Sequence, residues 1–342
     1  MKKNLSSILL SLCLLLSAAA YAQNQNELTI SNTTFLRNGQ PFHYTGIGFF
    51  NALYNPAFHK SAQDRNQWLD KFDKYGINVL RVWAQWNNTR GFVDAAPDAT
   101  LYASNGELRQ QPLERLKALL TDADSKGMVI QLVLFSHETS EANNKLTAKS
   151  SDRAVANITQ ELKPYRNLVF QIWNESSERV EDYYKAIKKI DPKRLVTNSP
   201  GPGGDLGDQN QNHMLDFLTP HTTRQFAGKH WEIAPKEIAY LLERYKKPVV
   251  DDEPARNGTP DYGGPHDGSS PYDHILQIYQ VWQQGGYMVY HHDMFQKDYG
   301  HPSISPSGIP DPEFNPYHKQ VLEFIAMQPR YRPEVEKHER VE

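Results

Sequence analysis

Apolar runs of six to eight residues recur along the chain, separated by stretches in which apolar positions return every three or four residues. The runs are H-Y-T-G-I-G-F-F at 43–50, N-V-L-R-V-W at 78–83, M-V-I-Q-L-V-L-F at 128–135 and L-V-F-Q-I-W at 168–173. They continue with R-L-V-T-N-S at 194–199, D-F-L-T-P-H at 216–221, K-P-V-V-D-D-E at 247–253 and Y-M-V-Y-H-H at 287–292. Most are continuous rather than alternating, which suits parallel strands covered on both faces. Residues 65–75, 113–124, 178–190 and 235–245 carry the helical period, and the glycines of K-Y-G-I-N-V-L and S-K-G-M-V-I fall where a helix stops and a strand starts. Eight strand–helix units predict an α/β fold, a (β/α)8 TIM barrel in a single domain. A doubly wound open sheet is the alternative, but G-I-G-F-F-N does not complete the glycine-rich dinucleotide fingerprint that would favour it.

The first 22 of the 342 residues stand outside this pattern. Lys2 and Lys3 precede an apolar run that ends at Ala20-Tyr21-Ala22, the layout of a secretory signal peptide. The run is short for a membrane anchor, and Leu12 before Cys13 suits lipoprotein processing poorly. The expectation is an exported, periplasmic or extracellular catalytic domain over 23–342. Cys13 is the only cysteine, so the mature chain would have neither disulfides nor thiolate metal sites. A net charge of −3 supplies no basic excess for nucleic acid. Nothing predicts a second membrane segment or an obligate protein partner.

On a barrel, chemistry gathers at the C-terminal ends of the strands. Reading those positions in order gives Asn51 and Tyr54, then Arg81 with Trp83 and Trp86, then His137 and Glu138. Asn174 and Glu175 follow, then His221, Asp251-Asp252-Glu253, and Tyr290-His291-His292-Asp293. Arg81 inside an apolar strand needs a partner, because an unpaired buried charge is expensive. Two carboxylates facing one cleft suit cleavage of an acetal: one protonates the departing oxygen, while the other attacks the anomeric carbon or activates water. Arg81 would hold Glu253 as an anion, and Glu175, near that like charge, would keep a raised pKa. Asn174 offers a donor for a sugar hydroxyl, and Trp83, Trp86, Trp173 and Trp231 offer flat apolar faces. The proline- and glycine-rich stretches at 199–208 and 257–271 follow the fifth and seventh runs, on the expected catalytic face.

I-W-N-E after the fourth run and P-V-V-D-D-E-P after the seventh resemble the two signatures of clan A retaining glycoside hydrolases, and family 5, the cellulase-like group, in particular. The resemblance runs through the whole mature chain in order, with its motifs in a few short segments. It implies a retaining β-glycosidase without cofactor or metal, with Glu175 as acid/base and Glu253 as nucleophile. Arg81 matches the arginine that supports the nucleophile, and His137 and His221 resemble histidines lining such clefts. Tyr290 and His292 complete the expected carbohydrate-binding set. The chain departs from the pattern at Ser176, where proline is common, at H-T-T-R, where a tyrosine is common, and at Y-H-H-D, where a tryptophan platform is common.

Other readings stay open at this level. Glu175 fits the first turn of a helix capped by Ser176 or Ser177. Strand alternation puts Asp251 and Glu253 on one side, which makes Asp251 the expected deeper partner of Arg81. The His291-His292-Asp293 cluster lacks the further ligands a catalytic metal needs. A catalytically silent, glycan-binding barrel of a carbohydrate-uptake system is the alternative function.

Overall fold

The structure, a computed structural model, describes residues 27–85, 99–136, 145–224, 229–254, 269–291 and 307–328. A small antiparallel unit comes first: β1 Leu28–Ser31, β2 Thr34–Arg37 and β3 Gln40–Pro41. The strands β4 Thr45–Phe49, β5 Val79–Trp83, β6 Val129–Ser136, β7 Leu168–Asn174, β8 Val196–Thr197, β9 Val250–Asp251 and β10 Tyr287–Tyr290 follow. These seven form one parallel sheet in the order β8-β7-β6-β5-β4-β10-β9.

The expected sixth strand, 216–221, is the exception. It makes no regular ladder, yet it occupies the gap between the sheet's two ends. Asp216 N donates to Val196 O at 3.0 Å, Leu218 N to Pro248 O at 3.0 Å, and Val250 N to Leu218 O at 2.9 Å. Backbone bonds to both neighbours thus close the curled sheet into a barrel with eight staves, as the sequence pattern predicts.

Eight helices surround the sheet among the described residues: α1 Ala62–Lys74, α2 Gln110–Ser125, α3 Ala148–Leu162, α4 Val180–Ile190, α5 Gln209–Met214, α6 His230–Tyr245, α7 Pro271–Gln283 and α8 Pro316–Ala326. Their ends are locally encoded. Ser61 Oγ accepts from Asp64 N at the start of α1, and Ser270 and Asp273 form a reciprocal capping box on α7, with Pro271 in the first turn. The helix expected from Pro235 begins at His230 instead, with Pro235 inside it.

The strands are buried on both sides, and each side has its own partner. Outward-facing Leu80, Val82, Ile130 and Leu132 join Leu116 and Ile158 of the helices in the outer core. Inward-facing Val79, Val129, Val169, Phe217, Val250 and Val289 fill the barrel's lower interior. Phe35 of β2 plugs that end, its ring 4.7 Å from Tyr44, 5.2 Å from Phe217 and 5.0 Å from Tyr287. Above this apolar layer the interior turns polar, and the candidate site begins there. Among the described residues, no helix is long and apolar enough to cross a membrane.

Candidate active site

Three polar side chains interrupt otherwise apolar strands: Arg81 on β5, Gln131 on β6 and Gln171 on β7. Parallel register sets Arg81 beside Gln131, and all three point inward to form a hydrogen-bonded floor. Tyr44 Oη donates to Gln131 Oε1 at 2.6 Å, Gln131 Nε2 to Gln171 Oε1 at 2.7 Å, and Arg81 Nε to the same oxygen at 2.9 Å. Gln171 Nε2 donates to Ser199 Oγ at 2.7 Å, and Ser199 Oγ donates to Asp252 Oδ2 at 3.1 Å. A buried polar layer of this kind is stable only when its members satisfy one another; these side chains do so except at Asp252 Oδ1, which has no hydrogen-bond partner among the described residues.

Arg81 has no exposed side-chain surface, and four neighbours share its guanidinium charge. Nη1 donates to Glu253 Oε1 at 2.8 Å, Nη2 to Asn174 Oδ1 at 2.6 Å, and Nε lies 3.1 Å from Asp252 Oδ2. The Asp252 carbonyl accepts at 3.3 Å. Asp252, not Asp251, is therefore the deeper carboxylate partner of Arg81. Alternation from inward-facing Val250 puts Asp251 outward and Asp252 inward; it fails only beyond the end of β9 at Asp251, where the chain bends and Glu253 turns inward as well. Asp251 turns outward and accepts from Thr222 Oγ1 at 3.0 Å and Gln277 Nε2 at 2.8 Å. Burial raises its pKa to about 7, against those two hydrogen bonds and helped by the charges of Asp252 and Glu237.

Glu175 follows β7 with φ at +61°, in the left-handed region that a residue with a side chain enters at some cost. Asn198 Nδ2 donates to Ser176 O at 2.9 Å, and Ser176 N to Ser199 O at 3.3 Å, so the end of the neighbouring β8 holds this turn. Helix α4 starts only at Val180, and its first turn already carries Glu181 and Asp182. Glu175 thus belongs to the barrel rim and not to the helix.

From this turn Glu175 Oε1 reaches His221 Nδ1 at 3.1 Å, while His221 Nε2 lies 3.6 Å from Glu253 Oε1. Arg224 comes from the same segment. Its Nη2 donates to Glu253 Oε2 at 2.9 Å and to Glu175 Oε1 at 3.4 Å. Glu175, His221 and Glu253 each place a potential ligand atom within 4.8 Å of the others. The positive group beside both carboxylates is the Arg224 guanidinium, a poor setting for a second cation.

Opposing forces set the two acidities. Burial pushes Glu253 up, but the positive charges of His221, His291, Arg81 and Arg224 together hold it well below the usual carboxylate range. Burial also raises Glu175, and the negative charge of Glu253 adds to that rise. The hydrogen bond from His221 and the charges of His221 and Arg224 outweigh both and bring it to about 2. The raised acid pKa expected for Glu175 is thus reversed in the resting site, because Arg224 and His221 contact it directly.

Of the sequence-predicted set, Arg81, Asn174, Glu175, His221 and Glu253 are brought together. Because Asn174 Oδ1 accepts from Arg81, the amide NH2 is the end turned away from the guanidinium. Trp83 is not a platform: it is fully buried, with the Arg81 guanidinium 4.6 Å from one ring centroid and Phe50 at 4.7 Å. Tyr290 is buried outside the barrel wall, its hydroxyl 2.9 Å from His318 Nδ1 of α8. Trp231 lies on α6, in a groove shared with Leu276 and Gln280 of α7. Trp86, His137 and His292 lie outside the described residues, as do Glu138 and Asp293. Sequence reasoning missed Ser199 and Arg224 as site residues, and read Asp252 only as part of the Asp251-Asp252-Glu253 strand end, with Asp251 as the partner of Arg81. Arg224 had left a signal, since it stands in the H-T-T-R departure.

The cellulase model, glycosyl hydrolase family 5, matches residues 36–226, more than half of the chain. No curated protein sequence matches significantly. Among solved structures, a glycoside hydrolase family 5 protein from Bacteroides vulgatus ATCC 8482 is 17% identical with a TM-score of 0.61, over 78% of this chain and 62% of that one. A family 5 mannosidase from Rhizomucor miehei is 14% identical with a TM-score of 0.66, over 90% and 98%. A β-mannanase from the blue mussel Mytilus edulis is 15% identical with a TM-score of 0.57, over 90% and 98%. At these identities the likeness is one of fold. The chain spans 62% of the length of the Bacteroides protein.

Proposed function

The chain belongs to glycosyl hydrolase family 5, the cellulase family of retaining glycosidases, and we propose that it is an exported β-glycosidase acting by double displacement. The observation that carries this reading is the separation of the two carboxylates, with oxygens of Glu175 and Glu253 within 4.8 Å of each other. Retaining enzymes hold their carboxyl groups about 5–5.5 Å apart, whereas inverting ones leave room for a water at roughly 6.5–9.5 Å.

In this reading Glu253, kept ionised by Arg81, attacks the anomeric carbon as the bond to the leaving oxygen breaks. Glu175, which is ionised in the resting site and first takes up a proton from solvent, gives that oxygen its proton. Water then attacks the anomeric carbon, Glu175 takes the water's proton, and the ester bond to Glu253 breaks. Asn174 donates to a sugar hydroxyl beside the reacting carbon. Residues 1–22 act as the export signal and 23–342 as the catalytic domain. The substrate is a β-linked oligo- or polysaccharide. Two of the structural neighbours described above are named for mannoside cleavage, so β-mannosides head the panel to be screened, before glucosides and galactosides.

Glu253→Ala tests the roles. It should lower turnover of an aryl β-glycoside by several orders of magnitude, and azide should restore product of inverted configuration. A Glu253→Ala protein as active as the parent refutes the assignment. If the parent binds oligosaccharide and hydrolyses none, and Glu175→Gln binds equally well, the chain is the glycan-binding barrel instead.

A further inference from the structure

We propose that Arg224 is a positioning residue of this site: its guanidinium, seated by the glycine-rich loop after β8, bridges the two carboxylates and holds both as anions. The proposal rests on the reading of Glu175 as acid/base and Glu253 as nucleophile. It adds a residue that the family resemblance does not supply, at the point where the chain departs from the family pattern.

Three observations carry it. The guanidinium contacts Glu253 Oε2 at 2.9 Å, Glu175 Oε1 at 3.4 Å and His221 Nδ1 at 3.3 Å. Arg81 already holds the other oxygen of Glu253, so the nucleophile carries a guanidinium on each oxygen. The third is the seat. The loop S-P-G-P-G-G runs beside Arg224, and a Cβ added to Gly203 would come within 2.8 Å of Arg224 Cγ and 2.9 Å of its Cδ. Only a residue without a side chain lets the arginine stem lie there. Gly204 N donates to His221 O at 2.7 Å, so the same loop pins the segment carrying both His221 and Arg224. A glycine-rich stretch that otherwise reads as surface decoration is the bed of a buried cation.

The consequence is a displaced working range. Among the described residues, the charged or titratable groups facing the two carboxylates are Arg81, His221, Arg224, Asp252 and His291. His221 also reaches both glutamates, but Arg224 is the guanidinium that does so. A cation favours the ionised form of each carboxylate, so both limbs of the pH–rate profile lie lower with Arg224 than without it. The acidic limb reports ionisation of Glu253, and the basic limb reports loss of the Glu175 proton. Guanidinium support also makes the Glu253 carboxylate a better leaving group when the glycosyl ester breaks.

The test compares the parent with Arg224→Gln, Arg224→Lys and Gly203→Ala. Two readouts are taken: the pH dependence of kcat/KM on an aryl β-glycoside, and the titration of the Glu175 carboxyl carbon by 13C NMR without substrate, assigned with Glu175→Gln. In Arg224→Gln both limbs and the Glu175 titration should move up by at least about one pH unit, a tenfold change in proton affinity. Arg224→Lys should retain part of the effect, and Gly203→Ala, which dislodges the stem but keeps the charge, should shift in the same direction. A folded Arg224→Gln protein whose Glu175 titration and profile coincide with the parent's overturns the proposal. If Arg224→Gln does not fold, coincidence of Gly203→Ala with the parent does so. A parent that hydrolyses no glycoside while Arg224→Gln still moves the Glu175 titration sinks the catalytic reading and leaves Arg224's control of the carboxylates standing.

Discussion

Arg81→Met removes a guanidinium with no exposed surface and leaves two carboxylates behind, Asp252 and Glu253, that are 0% and 3% exposed. Breaking a buried pair from one side costs about 3–5 kcal/mol, because the orphaned charge stays desolvated. Arg224 and His221 still face Glu253, which places the expected loss near the lower end, about 3 kcal/mol. Against a total stability of about 5–15 kcal/mol that is a large fraction, and a urea midpoint should fall by about 1–2 M. The sign of the pH dependence is fixed by Glu253. Its folded pKa is depressed, so its contribution is present above the unfolded value and lost as pH falls through the folded one. The deficit of Arg81→Met should therefore be largest near neutral pH and shrink toward acid, where the orphaned carboxylates take up protons. Arg81→Met/Glu253→Gln, which removes the orphaned anion, should recover part of the loss. Urea unfolding at neutral and acid pH measures both effects. A neutral-pH loss below about 1 kcal/mol, or one that does not shrink in acid, would refute the account of Arg81 as the buried counter-ion.

Three further outcomes follow from individual contacts. Burial raises Asp251 to about 7, so its contribution to stability is complete below its unfolded value and is lost as pH rises through about 7. Replacing it in Asp251→Asn should lower Tm less at pH 8 than at pH 5, and an equal effect at both would contradict the assigned burial. Ser270→Ala breaks the capping box of α7 and should cost about 1 kcal/mol in thermal or urea unfolding; no measurable change would count against the cap. Trp231→Ala, on the α6–α7 groove, should leave kcat/KM on a short aryl glycoside within about twofold, whereas a tenfold loss (about 1.4 kcal/mol of transition-state stabilisation) would return Trp231 to the substrate.

How far each feature was legible in the chain depends on how local its cause is. Periodicity, capping residues and helix-ending glycines act within a few neighbours, so the order of strands and helices, the barrel and the rim positions of Glu175 and Glu253 could all be read from residues alone. Arg81 was singled out as a charge inside an apolar strand, but Gln131 and Gln171 of the neighbouring runs were not, and the hydrogen bonds that join the three appear only in the fold. The sequence by itself thus determined which elements form and where their polar ends lie. Only the tertiary structure decided what those ends meet. Asp252 displaced Asp251 as the partner of Arg81 because alternation does not carry on to Glu253: β9 stops at Asp251, so Glu253 shares the inward side with Asp252 and not with Asp251. Trp83 and Tyr290 went to packing because their neighbours Phe50 and His318 come from distant segments. Residues 216–221 were legible as a run, but that they close the barrel without a regular ladder, through a few backbone bonds to two other staves, is seen only in the fold. Arg224 entered the site because Gly203, in another loop, leaves room for its stem. Each of these is a contact between residues far apart in the chain, and periodicity along the chain carries no record of such a contact.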